Sequence, residues 1–189
     1  MTVIGSLFML SQAAMAADGT ITFIGNISDT SCTVTGGGAA KGTGSITVNM
    51  PTVSTKALAS TGQTAGDTPF SLILGGAECT NGKTAALWVE TTATPALDSA
   101  TGALKNQQSG GAANVAVRLI NAANNDPINL GINAAVALND KVITANNQPA
   151  ATIAEHAATL NYVAQYLAIG AAAGPGKVST YLTYSMQYN

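Results

Sequence analysis

Charged side chains are scarce in this chain of 189 residues, which has seven basic and nine acidic residues and a formal net charge of −2. Arg118 is its single arginine. Binding to nucleic acid or to an anionic membrane needs clustered positive charge, which this composition does not supply. Alanine, glycine, threonine, asparagine and serine fill the sequence instead. Such a surface is typical both of extracellular proteins that pack against their own copies and of other secreted β domains.

Side chains that commonly carry catalysis are also few. The one histidine is His156, and nothing in the spacing of Glu78, Glu90 and Glu155 places two carboxylates as an acid–base pair. The sequence contains no C-x-x-C motif and no G-x-S-x-G motif. We therefore predict no enzymatic activity, no catalytic residue, no metal site and no cofactor.

One short segment matches a phosphate-binding loop weakly. Gly82, Lys83 and Thr84 have the order of the end of such a loop, but Ala77 stands where its first glycine belongs. The residues that follow alternate like a strand, whereas a phosphate site needs the start of a helix there. A hairpin turn at Gly82 is the favoured interpretation.

Long hydrophobic runs are absent, and the first apolar segment is short. The run from Val3 to Leu10 is far below the roughly 20 residues that span a bilayer. Small residues follow it, with an A-x-A cleavage pattern at residues 14–16, which predicts a secretory signal over residues 1–16. A basic residue normally opens such a signal, but the first one here is Lys41.

The chain has two cysteines, Cys32 and Cys79. An even number of cysteines behind a secretory signal predicts a disulfide. The bond would close a loop of about 47 residues, for which the chain-entropy estimate is a stabilisation of about 4 kcal/mol. A metal site is the alternative, but the sequence offers few further ligands for it.

The remaining sequence is dominated by alternation of apolar and polar residues, which predicts strands. Turn signals separate these segments, so we expect one all-β domain built as a β-sandwich. The alanine-rich segment 132–158 allows a short helix. The predicted inward faces are Ile21, Phe23, Gly25 and Ile27; Ile46 and Val48; Phe70, Leu72 and Leu74; Leu87, Val89 and Thr91; Val115, Val117 and Leu119; Leu160, Tyr162, Ala164 and Tyr166.

The C-terminal segment, residues 178–189, reads as one long amphipathic strand. One side is formed by Val178, Thr180, Leu182, Tyr184, Met186 and Tyr188. We expect an edge strand, whose free backbone groups invite pairing with another chain.

Four segments together resemble the bacterial chaperone-usher fimbrial subunits, in particular the type 1-like major pilins. They are GTITFIGNISDTSCTV (residues 19–34), ALDSATGALKNQQSGGAANVAVRLINAANNDPINL (96–130), LNYVAQYLA (160–168) and GKVSTYLTYSMQYN (176–189). The last segment has the family's penultimate tyrosine, Tyr188, and a glycine fourteenth from the end, Gly176. The final Asn189, where glutamine is more usual, and the poorly matched segment 132–158 depart from the family pattern.

The resemblance implies an incomplete immunoglobulin-like sandwich that lacks its last strand and is completed by a donor strand of a neighbouring subunit. The donor would be residues 17–28, inserting Ile21, Phe23, Gly25 and Ile27, and the pilin domain would be residues 29–189. The acceptor groove and chaperone-binding strand would include Gly176, Leu182, Tyr184, Met186 and Tyr188. Implied partners are further copies or related pilins, a periplasmic chaperone, an outer-membrane usher and a tip adhesin.

The predicted function is therefore that of a structural subunit of an adhesive surface fimbria, exported through the periplasm of a Gram-negative bacterium. Two alternatives remain open from the sequence. One is a minor adaptor subunit of the same fimbria. The other is a secreted sugar-binding sandwich, in which Trp88 would stack on a ligand.

Overall fold

The computed structural model describes residues 25–133, 135–138, 141–144 and 146–189, with the side chains of 135–138 and 141–144 left aside. The predicted signal segment and the donor residues Ile21 and Phe23 lie outside the described residues. Gly25 and Ile27 are described, and they do not form the predicted first strand. Ile27 is fully exposed, at 103% of its reference area, so none of the described residues covers it.

The described residues form thirteen strands and two short 3-10 helices, at Thr55–Leu58 and Thr91–Ala93. The strands are β1 Thr33–Gly38, β2 Ala40–Lys41, β3 Thr47–Val48, β4 Thr64–Gly75, β5 Thr84–Val89, β6 Leu104–Lys105, β7 Val115–Asn121, β8 Asp126–Pro127, β9 Ala135–Leu138, β10 Lys141–Thr144, β11 Ala150–Thr152, β12 Ala157–Ala168 and β13 Tyr184–Tyr188.

Two antiparallel sheets carry the fold. The larger sheet has the order β1-β4-β12-β7-β6, with β8 also paired to β7, and the smaller sheet has the order β11-β5-β13. The pairs β2–β3 and β9–β10 stand apart from both. The main apolar core joins residues of β4, β7 and β12 to residues of β5. This arrangement confirms the predicted all-β sandwich.

The two longest strands lie side by side at the centre of the larger sheet, with Tyr162 opposite Phe70. Phe70, Leu72, Leu160 and Tyr162 are buried, at 8%, 4%, 0% and 1% exposure, and they belong to the core. The period-two alternation of these segments therefore identified the inward face correctly.

β7 is buried on both faces. Val117 and Leu119 face the main core as predicted, and Ala116, on the opposite face, is fully buried as well. It packs with Ala103 and Leu167 in a separate small cluster. The larger sheet is thus covered locally on its outer side, which an alternation pattern within β7 cannot indicate.

The segment from β4 to β5 does not form the predicted hairpin at Gly82. The two strands belong to different sheets, so this segment crosses the sandwich. The amide of Gly82 donates to the carbonyl of Ile153 at 2.9 Å, which ties the crossing to the residue after β11. Thr91, predicted to extend β5, instead begins the second 3-10 helix.

The described part of residues 132–158, for which the sequence allowed a short helix, contains none. The described part of this segment forms β9, β10 and β11 instead. The alanines favoured the helical interpretation, whereas Val142, Ile143 and Thr144 are β-branched and stabilise extended structure. Two-stranded pairing of β9 with β10 outweighed the helix propensity of alanine.

Candidate functional site: a groove between the sheets

A cavity of about 1110 Å³ reaches the apolar core between two extended segments, residues 44–50 and residues 178–186. We call this cavity the groove, and we call the two segments its first and second rim. The floor is formed by core residues of both sheets: Phe70, Leu72, Leu87, Leu104, Val117, Leu119, Tyr162 and Ala164. The groove is therefore an apolar surface inside the sandwich.

The first rim includes β3 and alternates along its length. Ile46, Val48 and Met50 are half-buried and pack against the main core, whereas Thr47 and Asn49 are exposed. Regular pairing in this segment is limited to the two-residue ladder of β2 with β3. The apolar side of the rim thus faces the groove without a long strand beside it.

The second rim alternates in the same way. Thr180, Leu182, Tyr184 and Met186 are half-buried and line the groove, while their neighbours in sequence are largely exposed. Within the described residues β13 pairs with β5 alone. Its other edge faces the groove, which agrees with the edge strand predicted from the sequence.

The regular part of this strand is shorter than predicted, since β13 begins at Tyr184 rather than at Val178. Its partner β5 ends at Val89, opposite Tyr184, so the ladder stops there. The preceding residues are held by loops instead: the carbonyl of Ser179 accepts from the amide of Gln107 at 2.8 Å, and that of Thr183 accepts from Glu90 at 2.9 Å.

One hydrogen bond joins the two rims. The hydroxyl of Tyr184 donates to the carbonyl of Gly44 at 2.6 Å. Burial, with a smaller contribution from Tyr188, raises the pKa of Tyr184. The hydroxyl therefore stays protonated and able to donate over the neutral pH range.

Three of the five predicted acceptor residues, Leu182, Tyr184 and Met186, come together along the groove. Tyr188 packs against the core elsewhere, and its hydroxyl oxygen accepts from the amide of Cys32 at 3.1 Å. Gly176 lines a smaller cavity of about 350 Å³ that adjoins the groove at Met50.

The predicted disulfide between Cys32 and Cys79 is confirmed, with sulfur atoms 2.01 Å apart and Cα atoms 4.5 Å apart. It links the residue before β1 to the segment that crosses from β4 to β5. Because the amide of Cys32 donates to the hydroxyl of Tyr188, the disulfide also lies beside the end of β13, just beyond the second rim.

Sequence reasoning missed three features of the groove. Ile46 and Val48 were predicted as a strand face but not as the rim opposite the C-terminal segment. The aromatic floor was not anticipated either: the rings of Phe70 and Tyr162 stack with centroids 5.2 Å apart and planes inclined by 15°. Finally, the hydroxyl groups of Tyr162 and Thr180 are buried without a hydrogen-bond partner among the described residues.

His156 and Trp88 have other surroundings. His156 is exposed in the two-residue turn before β12, where its amide donates to Asn81 at 2.7 Å. Trp88 is half-buried opposite Ser185 on the outer side of the smaller sheet, away from the groove floor. Across the residues with described positions, we find no cluster of three or more potential metal ligands. No helix in the same residues is long and apolar enough to cross a membrane.

The family and the relatives that this chain matches are all fimbrial proteins. Residues 50–189 match the family described as FimA: Type-1 fimbrial protein, A. The chain is 36% identical over 181 residues to the F17 fimbrial protein of Escherichia coli, covering 94% of this chain and 91% of that protein. It is 40% identical over 178 residues to the major fimbrial subunit SMF-1 of Stenotrophomonas maltophilia, covering 94% and 96%.

Solved structures support the fold. A type I fimbria protein of Burkholderia pseudomallei aligns with a TM-score of 0.52 at 22% identity, covering 84% of this chain and 99% of that one. The P pilus rod subunit PapA aligns with a TM-score of 0.51 at 16% identity, with the same coverage. The matched family is one of structural fimbrial proteins rather than of enzymes, and its members point to the cell surface. This chain belongs to the type-1 fimbrial protein family and is a structural subunit of chaperone-usher pili.

Proposed function

We propose that this chain polymerises into a fimbrial shaft by donor-strand exchange, in which residues 17–28 of one copy occupy the groove of the next. The observation that carries this proposal is the groove itself. Its two rims present alternating half-buried side chains to an apolar cavity that reaches the core. An inserted strand with the same alternation would complete the sandwich by β-augmentation.

The donor is long enough to span the groove. The second rim from residue 178 to 186 spans about 30 Å if extended, and a donor of about twelve residues reaches about 40 Å. Each large apolar side chain that moves from water into the groove contributes about 1.5 to 3 kcal/mol. Ile27, fully exposed beside its own domain, is available for such burial.

The geometry of exchange produces a fibre. The donor segment and the groove are different surfaces of one chain, so each contact leaves a free donor and a free groove at the ends. In this proposal the free groove is first covered by a periplasmic chaperone, and an outer-membrane usher then replaces the chaperone with the next donor. The resulting surface fimbria would support adhesion. A high copy number in isolated fimbriae would distinguish the shaft role proposed here from the role of a minor adaptor.

The donor assignment is tested by two adjacent substitutions in the full chain. Phe23→Asp places a carboxylate on the inward face of the donor, where its desolvation opposes insertion. Thr22→Asp makes the same change of charge on the outward face. We expect Phe23→Asp to reduce the amount of polymer at least tenfold and Thr22→Asp to leave it near wild type, as measured by the ladder of subunits on electrophoresis without heating. Equal amounts of polymer from both variants would contradict the proposal.

A further inference from the structure

The two rims of the groove run side by side in opposite directions. Gly44, at the start of the first rim, accepts a hydrogen bond from Tyr184, near the end of the second. Met50 and Val178, at the opposite ends, line both the groove and the smaller cavity beside it. Among the strands that the structure describes, β3 pairs with β2 and β13 pairs with β5. The rims are therefore neighbours that share no ladder with each other.

The hydrogen bond between Tyr184 and Gly44 is anchored in a different sheet at each end. Gly44 donates its amide to the carbonyl of Val34 in β1 at 2.8 Å, which ties it to the larger sheet. Tyr184 lies opposite Val89 in the ladder of β13 with β5, in the smaller sheet. The bond therefore links the two sheets on the side of the sandwich where the groove reaches the core.

The apolar floor favours closure of the rims over it. Leu72, Leu119 and Tyr162 form part of this floor, and removing apolar surface from water is favourable. Strands that pair directly lie about 4.8 Å apart, whereas a strand inserted between two others needs about twice that spacing. Rims that closed to the shorter spacing would leave no room for a donor. A contact that holds the rims apart therefore preserves the groove.

The side chain of Tyr184 is suited to holding such a spacing. Its rigid ring lies between the main chain of the second rim and the hydroxyl that reaches Gly44. The side chain is half-buried and packs against the main core, so packing as well as the hydrogen bond fixes its direction. A tyrosine has only two rotatable side-chain angles, and little conformational entropy is lost when it is held in one position.

We propose that Tyr184 is a spacer whose hydrogen bond to Gly44 holds the two rims one strand apart, so that the groove is preformed for a donor strand. This inference rests on the proposed function, because it concerns how the groove admits the donor. A site that already has its bound shape binds more tightly than one that is open for only part of the time. Tyr184 is thus a positioning residue, which acts on the donor through the spacing of the rims.

The test measures binding of a synthetic peptide of residues 17–28 to the unassembled full chain. Tyr184→Phe removes the hydroxyl and keeps the ring. We expect it to weaken peptide binding about fivefold, as loss of one hydrogen bond predicts. The rims of the variant can relax towards each other before the peptide binds but not afterwards, so the complex loses more stability. Ser71→Ala is the control: it removes a hydroxyl that donates to Asn161 at 2.7 Å, away from the groove lining, and should bind like wild type.

Gly44 offers an independent variant at the other end of the bond. A methyl group added there meets no atom within 4 Å, but the φ of +69° disfavours alanine. Gly44→Ala should therefore shift the carbonyl that Tyr184 reaches and weaken peptide binding about threefold or more. Gly62→Ala is its matched control, because Gly62 has a φ of +88° and equally open surroundings outside the groove lining. Equal binding by these two variants would overturn the role of this carbonyl.

The outcomes separate this inference from the proposed function. Unchanged peptide binding by Tyr184→Phe would overturn the inference and leave donor-strand exchange intact, since a bond that only stabilises the domain acts equally with and without the peptide. Tighter binding would overturn it too, because it would show that the bond must break before the donor enters. Failure of the wild-type chain to bind the peptide at all would contradict the proposed function itself.

Discussion

Tyr162 combines complete burial with a titratable group. Its ring is stacked on Phe70 beneath the groove, and its hydroxyl is sealed from solvent. Burial raises the pKa of Tyr162 strongly, because the phenolate would lose its hydration in the apolar core. The neutral side chain is thus a requirement of the folded state.

This burial predicts a loss of stability in alkali. Below pH 10 both the folded and the unfolded chain keep the proton, and the stabilisation is fully present. Above pH 10 the unfolded chain releases the proton while the folded chain retains it. The free energy of unfolding should then fall by about 1.4 kcal/mol per pH unit from this group, until the raised pKa is reached.

The measurement is denaturant unfolding at a series of pH values from 8 to about 12. Tyr162→Phe should reduce the alkaline slope, while Tyr181→Phe, at a ring that is 55% exposed, should leave it unchanged. An identical slope in wild type and Tyr162→Phe would show that Tyr162 does not carry the effect.

At the scale of elements, the second rim depends on how its leading segment is anchored. Gly176 has a φ of +147°, in the region that favours glycine, and a Cβ added there would come within 2.5 Å of the amide nitrogen of Ala112. The segment before the rim therefore lies directly against the backbone at residues 111–112. Ala112 also donates its amide to the carbonyl of Lys177 at 2.9 Å.

Gly176→Ala should lower the free energy of unfolding by about 3 kcal/mol, because the backbone must adopt a strained conformation and move away from Ala112. Gly174→Ala is the matched control, since its added Cβ would meet the nearest atom of Ala113 at 3.5 Å, an ordinary contact. Denaturant unfolding of both variants measures this difference in the free energy of unfolding. Equal stability of the two would mean that this close approach does not constrain the rim. A role of Gly176 in chaperone binding stays a prediction.

Some of these elements could be predicted from the sequence and others could not. Alternation located β4 and β12 because each has one face on the core, and the cysteine count predicted the bond that the structure contains. The pattern did not indicate that Ala116 in β7 is covered from outside, and the alanines allowed a helix in the segment that forms β9 and β10. The start of β13 at Tyr184 follows from the end of β5, a partner that no local pattern specifies.

Only one rim of the groove could be predicted, because the other depends on which strands become neighbours in space. Leu182, Tyr184 and Met186 followed from the family resemblance and from their own alternation. The first rim required knowledge of which segment faces the C-terminal one across the sandwich, and this depends on the order of strands in both sheets. The unpaired hydroxyl groups of Tyr162 and Thr180 can be recognised only once their surroundings are known.

At the scale of the whole molecule, one disulfide cross-links the domain, and the groove leaves part of its apolar core open. The net charge of −2 on 189 residues leaves little repulsion between copies. A surface with so little charge suits a subunit that packs against other copies in a polymer. We propose that this sandwich gains its missing strand from a neighbour.

The most direct test compares residues 29–189 with the same domain carrying residues 18–28 through a flexible linker after Asn189. Insertion of three large apolar side chains would contribute about 5 kcal/mol in total, which corresponds to a rise in Tm of about 10 to 20 °C for a domain of this size. We expect this rise, together with a sharper transition than that of the unextended domain. Equal and cooperative thermal unfolding of the two proteins would show a domain already complete, and would contradict the claim.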